Sequence, residues 1–135
     1  MEKGESMRIL QIAVVVSLSL ATPVFADDAS DLAAAKAAIA AAKVSPEADL
    51  LTWCGAAFTL LAAAEKDDAA KAKIASDNAA ALFAKAEPLL TADGVTDLTA
   101  MGSDYTTVAA AQLVTETDKP PSHTQDDCVA AAAQK

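Results

Sequence analysis

Apolar residues recur at helical spacing along most of the chain. Residues 30–43, SDLAAAKAAIAAAK, are dense in strong helix formers and carry a narrow apolar stripe, which predicts a first helix. A second helix is predicted to begin after Ser45, because serine is a good N-cap and Pro46 suits the first helical position. This second helix is expected to extend to about Lys66. Its apolar face comprises Leu50, Cys54, Ala57, Phe58 and Leu61.

The pair Asp67-Asp68 marks the beginning of a third helical stretch, and we favour a turn there over a continuous helix. We expect Pro88 to end or kink this helix, because the proline ring clashes with the carbonyl four residues earlier. The pair Asp93-Gly94 indicates a turn after it. The buried face of the third helix is predicted to comprise Ala75, Ala79, Leu82, Phe83 and Ala86.

A fourth helix is predicted with Thr96 as its N-cap. The prolines in residues 115–122 should break helical structure, and Thr124 with Asp127 resembles a capping box for a last short helix that carries Cys128. Helical spacing in the fourth helix is kept by Leu98, Met101, Gly102, Tyr105, Val108, Ala109 and Gln112. No alternating run of β-branched residues indicates a sheet, so we expect a small Ala-rich all-α bundle of four to five helices.

The beginning of the chain has the pattern of a secretory leader. Residues 9–20 form an apolar run that is shorter than the roughly 20 residues needed to span a bilayer. The small-residue cleavage pattern ends at Ala26. We therefore expect residues 1–26 to be a cleavable signal peptide and residues 27–135 to form a single all-α domain. Met7 is an alternative start, since it gives a cleaner basic segment.

Export makes a disulfide the expected state of Cys54 and Cys128. Two cysteines in a small domain of an oxidising compartment are typical of a disulfide, here between the second and the last helix. The bond would offset a thin core, because alanine is abundant and large apolar residues are sparse. A redox-active pair is not indicated, because the chain has no C-x-x-C motif.

The charge of the chain limits the classes of molecule that it can be expected to bind. The formal net charge is −9, and the part after residue 26 contains lysine but no arginine. This excess of acidic residues argues against nucleic acid and anionic membranes as partners, since both bind clusters of positively charged residues. It suits either cationic partners or solubility alone. We expect a periplasmic protein, or a secreted one, with no stable membrane insertion after cleavage of the signal peptide.

Two stretches share the pattern L-T-x-[C/M]-G-x-x-[F/Y], namely residues 51–58 and 98–105. We expect Gly55 and Gly102 to let a neighbouring helix approach closely. Both stretches resemble the first helix of tetratricopeptide repeats, and residues 79–86 resemble the A-x-x-x-F-x-x-A pattern of the second helix. The resemblance implies a helical-hairpin surface that binds other proteins or peptides. An Ala-rich helix pair with a glycine contact is the alternative interpretation.

Candidate chemistry in the chain is limited. His123 is the only histidine, and its place in the proline-containing linker predicts an exposed loop residue. A zinc site needs three or four ligands, and no C-x-x-C-H or G-x-S-x-G motif is present. We therefore expect neither an enzyme nor a metal or other cofactor. Trp53 and Tyr105 are candidate interaction residues, with half-buried packing as the alternative for Trp53.

Three functional hypotheses follow. The first is a non-enzymatic periplasmic protein that binds other envelope proteins or peptides. The second is an acid-stress or holdase-type chaperone, which would loosen and expose apolar surface as its carboxylates protonate. The third is a small-molecule carrier, which a void lined by Trp53, Phe58 and Tyr105 would favour.

Overall fold

The computed structural model describes residues 24–134, with side-chain surroundings from residue 29 onward. The predicted signal peptide, residues 1–26, therefore lies outside the described residues except for its last three positions. The described backbone forms five α-helices and no β-strand, which confirms the all-α fold class. The helices are α1 (Val24–Ala42), α2 (Pro46–Ala64), α3 (Ala69–Ala92), α4 (Leu98–Ala110) and α5 (Gln125–Ala133), and a π-helical turn, Ala111–Thr115, continues α4.

Helix α2 is the centre of the bundle. Contacts divide the chain into two compact units, and the bundle core belongs to the second unit, Leu32–Lys135. Within that unit α2 packs against α3, α4 and α5, and most extensively against α3. Helix α2 is also long and apolar enough, by length and composition, to cross a membrane. Here it has the position of a core helix, whose buried residues are Ala48, Leu51, Thr52, Trp53, Cys54, Gly55 and Ala56.

The predicted single apolar face of α2 is therefore only partly right. Six consecutive residues from Leu51 to Ala56 are buried, so the first half of the helix is covered around its circumference. Leu61, which was expected to face inward, is 43 % exposed. The physical reason is the central position of α2. Neighbouring helices surround its first half, whereas the residues of its second half are half-buried or exposed.

Helix ends follow the capping signals at most positions. The Ser45 side chain accepts a hydrogen bond from the Ala48 N–H, and Pro46 is the first residue of α2, as predicted. Asp68 caps α3 after a turn, which confirms that α2 and α3 are separate helices. Thr124 and Asp127 form the predicted capping box of α5.

Pro88 does not end the third helix, and the predicted N-cap of the fourth helix is wrong. Pro88 lies inside α3, which continues to Ala92. The carbonyl that Pro88 leaves without its helical donor belongs to Ala84, which is exposed, and the buried Leu90 anchors the last turn. The N-cap of α4 is Asp97 rather than Thr96, because the Asp97 carboxylate accepts a hydrogen bond from the Ala100 N–H at 2.9 Å.

The predicted disulfide is present. Cys54 and Cys128 are bonded with their Cα atoms 5.2 Å apart, and the bond joins α2 to α5. Both cysteines are buried within the principal apolar cluster, which also includes Trp53, Leu82 and Tyr105. The disulfide therefore crosses the core rather than closing a surface loop.

The two glycines of the repeated pattern have different surroundings. A Cβ atom at Gly55 would lie 2.9 Å from the ring of Phe83, so the predicted close helix approach is confirmed there. A Cβ atom at Gly102 would meet nothing within 4 Å, so the predicted helix-contact role of Gly102 is wrong. The reason is that α4 borders open space at this position, in the groove described with the functional site.

Candidate functional site

The carboxylate of Asp49 connects three elements of the bundle. It extends from the first turn of α2 and accepts a hydrogen bond from the Tyr105 hydroxyl of α4 at 2.5 Å. The Nε2 atom of His123, in the linker before α5, lies 2.8 Å from the other Asp49 oxygen. The imidazole also meets the Trp53 ring edge-on, with the ring centroids 5.6 Å apart. A carboxylate in the first turn of α2 thus fixes both α4 and the linker.

A second set of hydrogen bonds surrounds the amide of Gln112 in the π-helical turn. Its Oε1 atom accepts from the Trp53 indole N–H and from the Ser122 backbone N–H, each at 2.9 Å. Its Nε2 group donates to the Ser122 hydroxyl. These contacts give the indole of Trp53 its polar partner and hold the linker against α2.

A cavity of about 290 Å³ lies beside these two groups of contacts, and we call it the α1–α2–α4 cavity. Its walls include Trp53, Tyr105 and Val108, and Ile39 closes it from α1. The polar residues that line it are Lys36, Asp49, Gln112 and Ser122. The cavity therefore combines aromatic and aliphatic surface with a carboxylate.

The environment of Tyr105 favours its neutral form. Burial raises the pKa of the Tyr105 hydroxyl, and the hydrogen bond and negative charge of Asp49 raise the pKa further. Tyr105 therefore remains a hydrogen-bond donor to Asp49 at neutral pH.

The structure does not place the predicted interaction residues on an exposed surface. Trp53 is 3 % exposed and Tyr105 is 1 % exposed, so what remains accessible is the part of each that borders the α1–α2–α4 cavity. Both belong to the helix faces that pack around the disulfide, which explains their burial. A small-molecule carrier was expected to have a void lined by Trp53, Phe58 and Tyr105. Trp53 and Tyr105 line the α1–α2–α4 cavity, whereas Phe58 does not.

The prediction for His123 is wrong. Its side chain is 19 % exposed, because the pair with Asp49 and the contact with Trp53 draw the linker onto α2. Sequence reasoning also missed Asp49 as a site residue, since an acid in the first turn of a helix is typical of a favourable helix dipole. Gln112 gave a clearer indication of a site residue. It is a polar side chain at a position where the helical spacing of the fourth helix is otherwise kept mostly by apolar residues.

A larger open groove of about 520 Å³ lies on another side of α2, and we call it the α2–α3–α4 groove. Its apolar wall includes Phe83, Leu90 and Leu98, and small residues leave it wide at Ala80, Ala84 and Gly102. Glu87 is the only charged residue that lines it.

Three of the four threonine hydroxyls in the groove donate hydrogen bonds within their own helices. Thr52, Thr59 and Thr106 each donate a hydrogen bond to the carbonyl four residues earlier in their own helix. The groove as a whole suits apolar surface.

Comparison with known proteins gives no relative: no family model, no curated protein and no solved structure matches the chain. The likeness to tetratricopeptide repeats therefore stays a sequence resemblance.

Proposed function

We propose that the protein is an exported, non-enzymatic helical protein that binds segments of other envelope proteins in the α2–α3–α4 groove. The leader pattern of residues 1–26 supports export. The Cys54–Cys128 disulfide supports an oxidising compartment, because such bonds persist mainly outside the cytosol.

The groove carries this proposal. Its wall is apolar at Phe83, Leu90 and Leu98, and three of the four threonines that line it donate their hydroxyl hydrogen bonds to backbone carbonyls. An occupant therefore gains from burying apolar area, at about 25 cal/mol per Å². An amphipathic helix placed in a groove is a common way in which proteins bind such segments.

The charge of the chain selects the kind of segment. Glu87 at the groove and the net charge of −9 favour a partner with lysine or arginine beside its apolar face. An acidic segment of equal hydrophobicity would be repelled. We therefore commit to a basic amphipathic segment as the occupant.

The pair formed by His123 and Asp49 bears on whether the protein has a catalytic group. A histidine paired with a carboxylate can act as a general base, but a base needs a nucleophile or substrate proton within hydrogen-bond distance. In the part of the chain that the structure describes, the imidazole contacts Asp49 and Trp53, and no serine, threonine or cysteine side chain hydrogen-bonds to it. The residues described also contain no group of three or more His, Cys, Asp or Glu that could hold a metal ion.

The test is calorimetric titration of the disulfide-bonded protein with two designed helical peptides of equal length and leucine content, one rich in lysine and one rich in glutamate. We expect saturable binding of the lysine peptide, at least about tenfold tighter than that of the glutamate peptide. Gly102→Leu should abolish binding by filling the groove, and Ser103→Leu is the matched control on the exposed side of α4.

The proposal is overturned if both peptides bind equally well or if neither binds. It is also overturned if Gly102→Leu binds the lysine peptide as tightly as Ser103→Leu does. Glu87→Gln should weaken binding and reduce its dependence on salt concentration, because the groove then loses its charge.

A second candidate function is an acid-activated holdase, and one observation favours it. Carboxylates make several of the hydrogen bonds that join separate elements: Asp49 binds Tyr105 and His123, and Asp93 accepts from the Ser45 backbone N–H. If these contacts open in acid, the disulfide still keeps α2 and α5 joined. Binding of an apolar dye and suppression of client aggregation should both begin on acidification, with the helical circular-dichroism signal largely kept. A protein that binds no dye down to about pH 2 is not such a chaperone.

A further inference from the structure

The α1–α2–α4 cavity contains a carboxylate among apolar residues, with Lys36, Gln112 and Ser122 as its other polar lining residues. Asp49 is the only acidic residue that lines it, and 35 % of its side chain is exposed. A carboxylate has about four lone-pair positions, and the hydrogen bonds from Tyr105 and His123 occupy two of them. Asp49 therefore retains acceptor capacity for a donor inside the cavity.

The other polar residues of the cavity leave this carboxylate as its main recognition group. The Gln112 amide is engaged at both ends, by Trp53 and by Ser122. Lys36 lies 3.9 Å from Glu116, so its ammonium group has an acidic partner outside the cavity lining. In the cavity, a ligand therefore meets the Asp49 carboxylate beside an amide and an ammonium group that already have partners of their own.

The residues that line the cavity define the size and the apolar part of a ligand. Ile39 provides accessible aliphatic surface, and Trp53 and Tyr105 contribute only the small accessible part of each that borders the cavity. A volume of about 290 Å³ lies at the small end of ligand pockets, so a small molecule fits it best. Asp49 disfavours an anion.

We propose that the α1–α2–α4 cavity binds a small primary amine, whose ammonium group donates to Asp49 and whose hydrocarbon part packs against Ile39, next to Trp53. Neutral molecules of the same shape fill the cavity but lack the charge-assisted hydrogen bond, which is about twice as strong as a neutral one. This site is separate from the groove of the proposed function, and its lining residues are different.

Trp53 makes the site easy to observe, because it is the only tryptophan in the sequence. Its indole N–H gives a single nuclear magnetic resonance signal, which can be followed while n-butylamine, n-butanol or butyrate is added at constant pH and ionic strength. We expect a saturable shift with butylamine, at least about tenfold weaker binding of butanol, and no saturable shift with butyrate.

Two variants locate the ligand. Asp49→Asn should weaken butylamine binding at least about tenfold, and Asp104→Asn makes the same charge change outside the cavity lining. Ala40→Phe, at an exposed position of α1 that borders the cavity, should block binding and leave Asp49 in place. If Asp49→Asn does not fold, Ala40→Phe decides the question.

The proposal is overturned if butanol binds as tightly as butylamine or if butyrate competes with it. It is equally overturned if Ala40→Phe binds butylamine like the unmodified protein, or if a folded Asp49→Asn behaves like Asp104→Asn. Loss of the lysine-peptide interaction in the α2–α3–α4 groove would leave this result unaffected, so the two proposals fail separately.

Discussion

Asp49 and His123 are in contact although 74 positions separate them in the chain, and the same separation applies to the disulfide partners Cys54 and Cys128. The Asp49–His123 contact and the disulfide therefore join the same two segments of the chain, residues 49–54 and residues 123–128. The segment that includes the end of the linker and the beginning of α5 is held to α2 at two points, and Trp53 lies between them, against the His123 ring.

Replacing His123 by alanine should loosen the linker while the disulfide remains. The change removes a hydrogen bond to a carboxylate and the ring that contacts Trp53, so we expect the free energy of unfolding to fall by about 1 kcal/mol. Trp53 emission should shift to longer wavelength, because the indole gains water. His123→Gln is the control that retains a donor. Unchanged emission and unchanged denaturant unfolding in His123→Ala would show that the contact does not hold the linker.

Alkaline pH should destabilise the protein through Tyr105. Burial and Asp49 raise the pKa of Tyr105 above its unfolded value of about 10, so the folded state favours the neutral phenol. The stability from this difference is present below pH about 10 and is lost at higher pH as the unfolded chain ionises. Tyr105 is the only tyrosine, so phenolate absorbance should rise together with unfolding rather than before it. In Tyr105→Phe, the alkaline loss of stability should be smaller, and an equal loss would contradict this account.

Acid should weaken the beginning of α5 through Asp127. Hydrogen bonds with the Thr124 backbone and side chain, with a smaller contribution from the charge of His123, hold the pKa of Asp127 below its usual value. The stabilisation is therefore present above the unfolded pKa and is lost as pH falls through the folded one. Amide hydrogen exchange of α5 should accelerate in this acid range. Asp127→Asn should have fast exchange already at neutral pH and little further change, whereas Asp126→Asn should keep the acid dependence.

Local signals in the sequence were sufficient for much of the fold. The caps at Ser45, Asp68 and Thr124 predict helix ends because each depends on a side chain and backbone groups three residues away. The disulfide was predictable from the number of cysteines together with the expectation of export. Pro88 shows the limit of such signals, because whether a proline ends a helix depends on the solvent around the freed carbonyl and on the packing that follows.

The candidate site was less predictable because its contacts join distant parts of the chain. Asp49 has the pattern of a helix-dipole acid, and nothing near it in sequence indicates Tyr105 or His123 as partners. Gly55 and Gly102 have the same sequence context, yet one contacts Phe83 and the other borders a groove. That difference arises from the placement of α3 and α4, which the spacing of apolar residues does not determine.

The same substitution at these two glycines should have opposite effects. Gly102→Ala should raise the free energy of unfolding by about 0.5–1 kcal/mol, because alanine favours the helix and its Cβ meets open space. Gly55→Ala gains the same helix propensity but places a Cβ 2.9 Å from the Phe83 ring, and overpacking of this kind costs about 1–3 kcal/mol. We therefore expect a net loss of about 1 kcal/mol in urea unfolding. Adding Phe83→Leu to Gly55→Ala should recover part of the loss. Equal effects at both glycines would contradict the described approach of α2 and α3.

Reduction of the disulfide should remove a large part of the stability. Cys54 and Cys128 are 74 positions apart, and the loss of a loop constraint of this length from the unfolded chain is about 4 kcal/mol in the chain-entropy model. Other contacts that hold α5 to the bundle include the buried Ala131 and a hydrogen bond from Lys85 to the Ala131 carbonyl at 3.0 Å. We therefore expect amide hydrogen exchange to be fastest in α5 after reduction, and the Trp53 indole to become more accessible to solvent.

The measurement compares urea unfolding of the oxidised protein, the reduced protein and the variant with both cysteines replaced by alanine. The double variant controls for the reductant, and a difference below about 1 kcal/mol between oxidised and reduced protein would show that the alanine-rich core holds α5 without the bond.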